Sequence, residues 1–406
     1  MANIIITTHW LDGDVLPFIR IGYALKRRGH TVTIITHCYF EKVARSFGLN
    51  FEPWDTQEEY EILIKFMDGG IPSLPDSDKL KAFRNQFESI SVRLKEYKKV
   101  FKHCQKEHTI IVAKCRSSIG AFMAAEKLQL PLATVFMNPT EPVSMSTYNE
   151  LYGSNDVEEM NELRKLVGLT PIASWIQWHS AGKMSLGLWP EWFVEQEDFH
   201  WPNRILCVGF PTEQQPQASS NKIPDEIEQL LNGDTPPIII SGGTTKMLHP
   251  KFYSVTAAAC KMMNTPTILL TRYAELVPEK LPSNVKWCEY LPLNEILSKC
   301  KTIIHHGGIG TSSEALKCGI PQLILPYFGD GLFNGKQLKK LGVAECLPVI
   351  RWTPEYIKYN LEKLSQDQYK TACMQYQRKI ENTNAIDTIC NHIEHIVDNQ
   401  DYVYRI

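Results

Sequence analysis

Apolar positions along the chain alternate between short β-branched runs and stretches with helical spacing. Ile4–Thr8 reads as a strand, and Pro17 suits the first turn of a helix with an apolar face of Phe18, Ile19, Tyr23, Ala24 and Leu25. Gly29 ends that helix, and Thr31–Thr36 returns as a strand. A strand, a helix and a second strand within about thirty residues imply parallel pairing through a right-handed crossover. The pattern predicts an α/β fold built on a doubly wound parallel sheet. After residue 236 the alternation resumes: strands are predicted at Pro237–Ser241, Thr267–Leu270, Thr302–Ile304 and Gln322–Leu325. Helices are predicted between and after them, at Lys251–Met263, Asn294–Cys300, Thr311–Lys317 and Asn334–Leu341. Pro211–Asp234 is rich in Pro, Gln, Ser and Asn, which reads as a linker followed by a short helix. The expected domains are therefore residues 1–210 and 236–382, with a linker at 211–235 and a terminal segment at 383–406.

Composition narrows the partners more than the fold. The 406 residues suffice for two to three domains. With 43 basic and 45 acidic side chains the net charge is −2, so nothing electrostatic favours a nucleic acid or an anionic membrane. No apolar run approaches the ~18 residues of a membrane span. The apolar patch in MANIIITTHWLDGD is too short, and lacks the basic leader, for a secretory signal. Eleven cysteines, scattered from Cys38 to Cys390 without a CxxC pair, suit reduced, packed thiols rather than disulfides or a zinc site. A cytoplasmic protein is expected.

Ligands of open parallel sheets bind beyond the carboxyl ends of the strands, so the loops that follow strands carry the candidate chemistry. His9–Pro17 holds Asp12, Asp14 and an imidazole directly after the first strand. A carboxylate there can act as a general base toward a bound hydroxyl, or it can cap the following helix. Asp12-Gly13-Asp14 also spells DxD, but two carboxylates alone are a poor metal site, and no metal is expected. The second loop, His305-His306-Gly307-Gly308-Ile309-Gly310-Thr311-Ser312-Ser313-Glu314, joins a strand to a helix through glycines that let backbone amides approach an anion. His306, Thr311 and Ser312 can add donors and Glu314 an acceptor for sugar hydroxyls. Lacking Gly-Lys-Ser/Thr, this loop suits a diphosphate ester better than a triphosphate.

HHGGIGTSSEALKCGIPQLILPYFGDGLFN, residues 305–334, resembles the carboxy-terminal donor-binding signature of the UDP-glycosyltransferase superfamily, with its H-x-G-x-x-[ST], E-A-L, G-x-P and P-x-x-x-D-x-x-x-N elements in order. GDVLPFIRIGYALKRRGHTVTIIT, residues 13–36, resembles the amino-terminal signature of the branch holding sterol glucosyltransferases and bacterial antibiotic glycosyltransferases. The resemblance implies a GT-B fold: two Rossmann-like domains facing across a cleft, the first binding acceptor and the second donor, with a last helix within residues 383–398 crossing back to the first. It implies inverting, cofactor-free and metal-independent transfer of a sugar from a UDP- or dTDP-sugar to a hydroxyl of a lipophilic acceptor, natural product or sterol-like. A monomer or homodimer is expected.

Carried over residue by residue, Asp14 falls on the catalytic base. His306, Gly308, Gly310, Thr311 and Ser312 fall on the diphosphate site and Glu314 on the ribose contact. Asp330 falls on the sugar contact, Tyr290 and Leu291 lie where the nucleobase sits, and Gly243 and Thr244 form a neighbouring glycine turn. Gly331 stands where the family usually has glutamine, which weakens a glucose reading and favours a different or deoxygenated sugar. His9, Trp10, Phe136, Asn138 and Met145 are candidate acceptor contacts. The alternatives are a sugar-nucleotide 2-epimerase of the same fold and a non-catalytic sugar-nucleotide-binding accessory protein.

Overall fold

The computed structural model describes residues 1–68, 78–105, 108–181, 184–195, 204–212 and 223–398. The chain forms two compact units, Met1–Ala218 together with Asn384–Ile406, and Ser219–Thr383. In the first unit the elements run β1 (Asn3–Thr7), α1 (Asp12–Arg27), β2 (Thr31–Thr36), α2 (Glu41–Ser46), β3 (Asn50–Pro53), α3 (Gln57–Asp68), α4 (Asp78–Phe87), α5 (Ile90–His103), β4 (Thr109–Lys114), α6 (Ile119–Leu128), β5 (Leu132–Phe136), α7 (Thr140–Leu166), α8 (Trp175–Ser180), β6 (Met184–Gly187) and β7 (Ile205–Cys207). The second holds α9 (Asp225–Leu231), β8 (Ile238–Ser241), α10 (Phe252–Met263), β9 (Thr267–Leu270), β10 (Val285–Cys288), α11 (Leu293–Ile296), β11 (Thr302–His305), α12 (Ile309–Lys317), β12 (Gln322–Ile324), α13 (Gly331–Lys340), β13 (Ala344–Cys346), α14 (Pro354–Leu364) and α15 (Asp367–Glu381). The last helix, α16 (Ala385–Asp398), belongs to the first unit.

Both sheets are parallel throughout, in the orders β3-β2-β1-β4-β5-β6-β7 and β10-β9-β8-β11-β12-β13. Helices cover both faces, so the strands are apolar on both sides. In β8, Ile238 and Ile240 enter the core shared with α10 and α14, while Ile239 faces the opposite core with α9 and α11. The two-residue period of a strand makes this division.

Two sequence expectations shift at this level, and the expected return of the last helix to the first unit is seen. The helix predicted to begin near Pro17 starts at Asp12, leaving Pro17 inside α1. The Asp14 carboxylate accepts the Leu11 N–H at 3.3 Å and, with Asp12, complements the dipole in the first turn, so the turn forms ahead of the proline. The short helix assigned to the linker is α9, and it packs Ile227 and Leu231 into the second unit's core. Helix α16 packs Ile386, Ile389, Cys390, Ile393 and Ile396 into the first unit's core, and Arg28 on α1 reaches Asp387 and Glu394 at 2.6 and 2.8 Å. Residues 213–222 of the expected linker and 399–406 of the expected terminal segment lie outside the described residues.

All eleven cysteines are free thiols. Among the described residues no helix is long and apolar enough to cross a membrane.

Candidate active site

Each sheet reverses strand order once, and loops diverge there to leave a crevice beyond the carboxyl ends. In the first unit the reversal lies between β1 and β4, in the second between β8 and β11. The candidate residues gather at these two points.

In the first unit, Asp14 sits in the first turn of α1, about a third exposed, and Lys114 ends β4. Lys114 Nζ lies 2.7 Å from Asp14 Oδ1 although the lysine is buried. Burial alone would lower the lysine's pKa, but the Asp14 and Glu141 carboxylates outweigh it and hold it above the ordinary value. Asp14 therefore caps the helix with one oxygen and pairs with an ammonium through the other. The cap and base readings are compatible, because a carboxylate offers about four acceptor positions. Among the described residues no cluster of three or more His, Cys, Asp or Glu side chains is arranged to hold a metal ion.

The candidate acceptor residues divide. Phe136 and Met145 are buried core side chains, 0 and 1% exposed, and Met145 Sδ lies 3.0 Å from Cys115 Sγ. The Asn138 side-chain oxygen accepts from the backbone and hydroxyl of Thr140 at 3.0 and 2.6 Å, organising the start of α7. His9 is buried, with Nε2 3.1 Å from Glu96 Oε1. Trp10 adopts φ = +92°, a conformation that costs a bulky side chain of order 1–3 kcal/mol and persists only where its surroundings impose it. Its ring lies against Phe83 and His37, with centroids 5.4 and 6.2 Å apart.

In the second unit the loop after β11 is built around two histidines. His305 is fully buried: its Nε2 pairs with Gln322 Oε1 at 2.9 Å and its Nδ1 accepts the Gly307 N–H at 3.1 Å. Burial, with His306 adding to it, pushes His305 down to about 3, so it serves as a neutral brace. The His306 ring lies against the bare backbone of Gly243 and Gly308, where an added Cβ would come within 2.5 Å of it. The glycine turn after β8 and the loop after β11 thus meet, as the reversal point requires. Burial pushes His306 down to about 4, leaving it neutral near pH 7 and able to donate one N–H.

Backbone packing secures this loop. Gly307 has φ = +98°, and a Cβ on Gly331 would lie 2.3 Å from the His306 carbonyl oxygen. Gly331 is therefore required here by close backbone approach. Asn334 Nδ2 donates to the Gly307 carbonyl at 2.9 Å and to Asp330 Oδ2 at 2.6 Å, fastening the loop to the start of α13. Asp330 thus has one oxygen committed to Asn334.

No side chain caps the N-terminus of α12, whose first turn carries Gly310, Thr311 and Ser312. Its leading N–H groups and partial positive charge are available to an anion. His306 Nδ1, Ser312 Oγ and Asn334 Oδ1 are buried polar atoms with no hydrogen-bonding partner among the described residues. Glu314 is half-buried on the same helix. Thr244 lends its carbonyl to Tyr273 at 3.1 Å. Tyr290 is 57% exposed, whereas Leu291 is buried in the core, so only the tyrosine offers its side chain to a ligand.

Lys114, His305 and Gln322 escaped the sequence reading. A lysine closing the apolar strand TIIVAK was the available signal for the first. His305 and Gln322 look like ordinary strand residues until the sheet pairs them.

Comparison with known proteins bears on the family and the fold. The glycosyltransferase family 28 N-terminal domain matches residues 10–145, and the C-terminal domain of erythromycin biosynthesis protein CIII-like proteins matches 267–394. The solved glycotransferase of kitacinnamycin superposes with a TM-score of 0.74 at 16% identity, over 97% of this chain and 99% of that one. The calicheamicin glycosyltransferase CalG4 gives 0.72 at 18% identity, over 98% and 99%. The chain belongs to the GT-B glycosyltransferases. This GT-B family member is 24% identical to sterol 3-beta-glucosyltransferase UGT80B1 of Arabidopsis thaliana, over 94% of its own length and 66% of the relative's. It is 26% identical to UGT80A2 of the same plant, over 89% and 60%. The chain thus spans under two thirds of UGT80A2 and about two thirds of UGT80B1.

Proposed function

We propose that this protein is an inverting, metal-independent glycosyltransferase that moves a sugar from a UDP- or dTDP-sugar to a hydroxyl of a lipophilic acceptor of sterol or natural-product type. The observation that carries this reading is the loop after β11, where uncapped α12 amides, a neutral His306 and the unpartnered Ser312 hydroxyl converge. These groups suit the two negative charges of a nucleotide diphosphate without a basic cluster. A solved neighbour, VinC, was crystallised with dTDP, and the sterol glucosyltransferases named above supply the acceptor class.

In this reading the acceptor hydroxyl gives its proton to Asp14 as its oxygen attacks the anomeric carbon. The bond from that carbon to the diphosphate oxygen breaks on the opposite face, which inverts the configuration. The α12 amides and His306 take up the charge that develops on the leaving diphosphate.

The test is a thermal-shift panel of UDP- and dTDP-sugars, followed by transfer to sterol and macrolide acceptors with and without chelator. A native-state ligand raises the melting temperature, and the product should show inverted anomeric configuration by NMR. Retention, loss of activity with chelator, or epimerisation of the sugar nucleotide in the absence of acceptor would overturn the proposal.

A further inference from the structure

The carboxyl ends of β1, β2 and β3 hold a second constellation that the reaction above does not use. His9 follows β1, His37 follows β2 and Trp54 follows β3. The three rings touch: centroids are 4.4 Å apart for His9 and Trp54, 5.0 Å for His37 and Trp54, and 5.8 Å for the histidines. All three side chains are at least nine-tenths buried. Even so, His9 Nδ1, His37 Nε2 and Trp54 Nε1 find no hydrogen-bonding partner among the described residues, and the same holds for the neighbouring Thr7 and Thr36 hydroxyls. Buried polar groups are almost always paired, so such a cluster points to a polar guest.

The partners of these groups define the guest's chemistry. Asp55 Oδ2 lies 2.5 Å from His37 Nδ1, and its Oδ1 accepts the Cys38 N–H at 2.8 Å. Glu96 holds His9 Nε2 at 3.1 Å with one oxygen and accepts the Gly120 N–H at 2.8 Å with the other. A carboxylate only accepts, so it fixes the imidazole tautomer: the nitrogen facing it carries the proton. In neutral imidazoles, His9 Nδ1 and His37 Nε2 are then bare acceptors, whereas Trp54 Nε1 is a donor. Burial lowers the His37 pKa despite Asp55, keeping the neutral form. A group that donates and accepts at once, a hydroxyl, takes the Trp54 N–H and gives its one proton to one of the two imidazole nitrogens.

Trp54 and Asp55 also border a cavity of about 260 Å3, whose other walls are the apolar Leu63, Phe87 and Val92 and the polar Glu59, Gln86, Ser91 and Lys95. That is just below the ~300 Å3 at which pockets for whole drug-sized ligands begin, so it suits one ring-sized end of a molecule. The strained Trp10 packs beside the cluster, as expected where backbone conformation serves a site.

We propose that His9, His37 and Trp54 form a hydroxyl-recognising subsite, so that the acceptor carries a hydroxylated ring whose oxygen accepts from Trp54 and donates to one of the two imidazoles, and whose ring enters the cavity that Trp54 borders. The assignment rests on reading the first unit as the acceptor-binding half.

The test is equilibrium binding of 2-naphthol, 2-methoxynaphthalene and naphthalene to the full chain, followed by ligand-observed NMR. Wild type should bind 2-naphthol at least tenfold tighter than naphthalene, with the methoxy compound between them, because it can accept but not donate. Trp54→Phe keeps the ring and removes only the N–H, and His37→Phe removes the acceptor. Each variant should lose most of this discrimination; Trp54→Phe should keep a melting temperature near wild type, whereas His37→Phe strips Asp55 of its buried partner and is measured at a temperature where it is folded. Equal affinity for all three compounds in wild type, or unchanged discrimination in both variants, would mean that the polar cluster serves ordered water only and would overturn the proposal. The sugar-nucleotide thermal shift is measured on the same samples: its loss with discrimination intact refutes the transferase reading alone, and the reverse refutes the subsite alone.

Discussion

Gly331 offers the sharpest check on how the donor loop is built. The family pattern that residues 305–334 resemble has glutamine at this place, so Gly331→Gln looks like a restoration of a sugar-binding amide. The structure says otherwise, because a Cβ on residue 331 would stand 2.3 Å from the His306 carbonyl oxygen and 3.5 Å from Pro326 Cβ. Relief needs a backbone displacement on the order of 1 Å, since non-bonded heavy atoms settle at about 3.5–4.0 Å. The opposing atom belongs to His306, in a loop that the Asn334 Nδ2 bond to the Gly307 carbonyl fastens in place. Overpacking of this kind costs about 1–3 kcal/mol. For a unit of this size that is a fall in melting temperature of about 2–12 °C. The clash arises at the first side-chain carbon, so Gly331→Ala should cost nearly as much as Gly331→Gln. Thermal unfolding of both variants, with UDP- and dTDP-sugar titrations at a temperature where both are folded, measures the effect. Both should bind donor at least tenfold more weakly than wild type, because a displacement near 1 Å moves the diphosphate donors out of line. A Gly331→Ala variant with wild-type melting temperature and donor affinity would refute the packing argument. A glutamine variant with improved donor affinity would show that the missing amide matters more than the backbone contact.

Asp14→Asn should lower turnover by about 10²–10⁴-fold, the usual contribution of a general base, while leaving the donor thermal shift intact; near-normal turnover would remove Asp14 from its role. Lys114→Met should also lower turnover but add little once Asp14 is Asn, a coupling of about 0.5–3 kcal/mol in a double-mutant cycle; strict additivity would show that the 2.7 Å pair has no part in the reaction. His179, His305 and His306 are pushed down to about 3, 3 and 4 by burial, whereas an unfolded histidine titrates near ~6.5. Between those values the unfolded chain binds protons that the folded chain refuses. The stability present above pH 6.5 is therefore lost as pH falls toward 4, at up to ~1.4 kcal/mol per pH unit for each histidine. Melting curves over this range should show that slope, and His305→Gln should make it shallower; an unchanged slope would contradict the assignment.

Much of the architecture was legible because parallel strands buried on both faces leave near-continuous β-branched runs. Ile4–Ile6 and Ile238–Ile240 are such runs, and both lie centrally in their sheets. The donor loop was legible for a related reason: its glycines, His306, Thr311 and Ser312 are contiguous, so one stretch of chain holds the chemistry. Less regular segments were not. The strands β10 and β13 are short and partly polar, the α1 start was hidden by Pro17, and α9, though expected as a short helix, was grouped with the linker because its two core residues become apolar anchors only against the second sheet.

The sequence by itself determined the local matters: parallel α/β units, a carboxylate after the first strand, and a glycine-rich turn suited to an anion. Each rests on neighbours along the chain, whose geometry follows from backbone period and residue type. Only the tertiary structure decided which distant groups meet. It set Lys114 against Asp14, His37 and His9 beside Trp54, and the Gly331 backbone against His306. Strand order brings these pairs together, and strand order is settled by how whole helices and sheets bury their apolar faces, a quantity that no single motif carries.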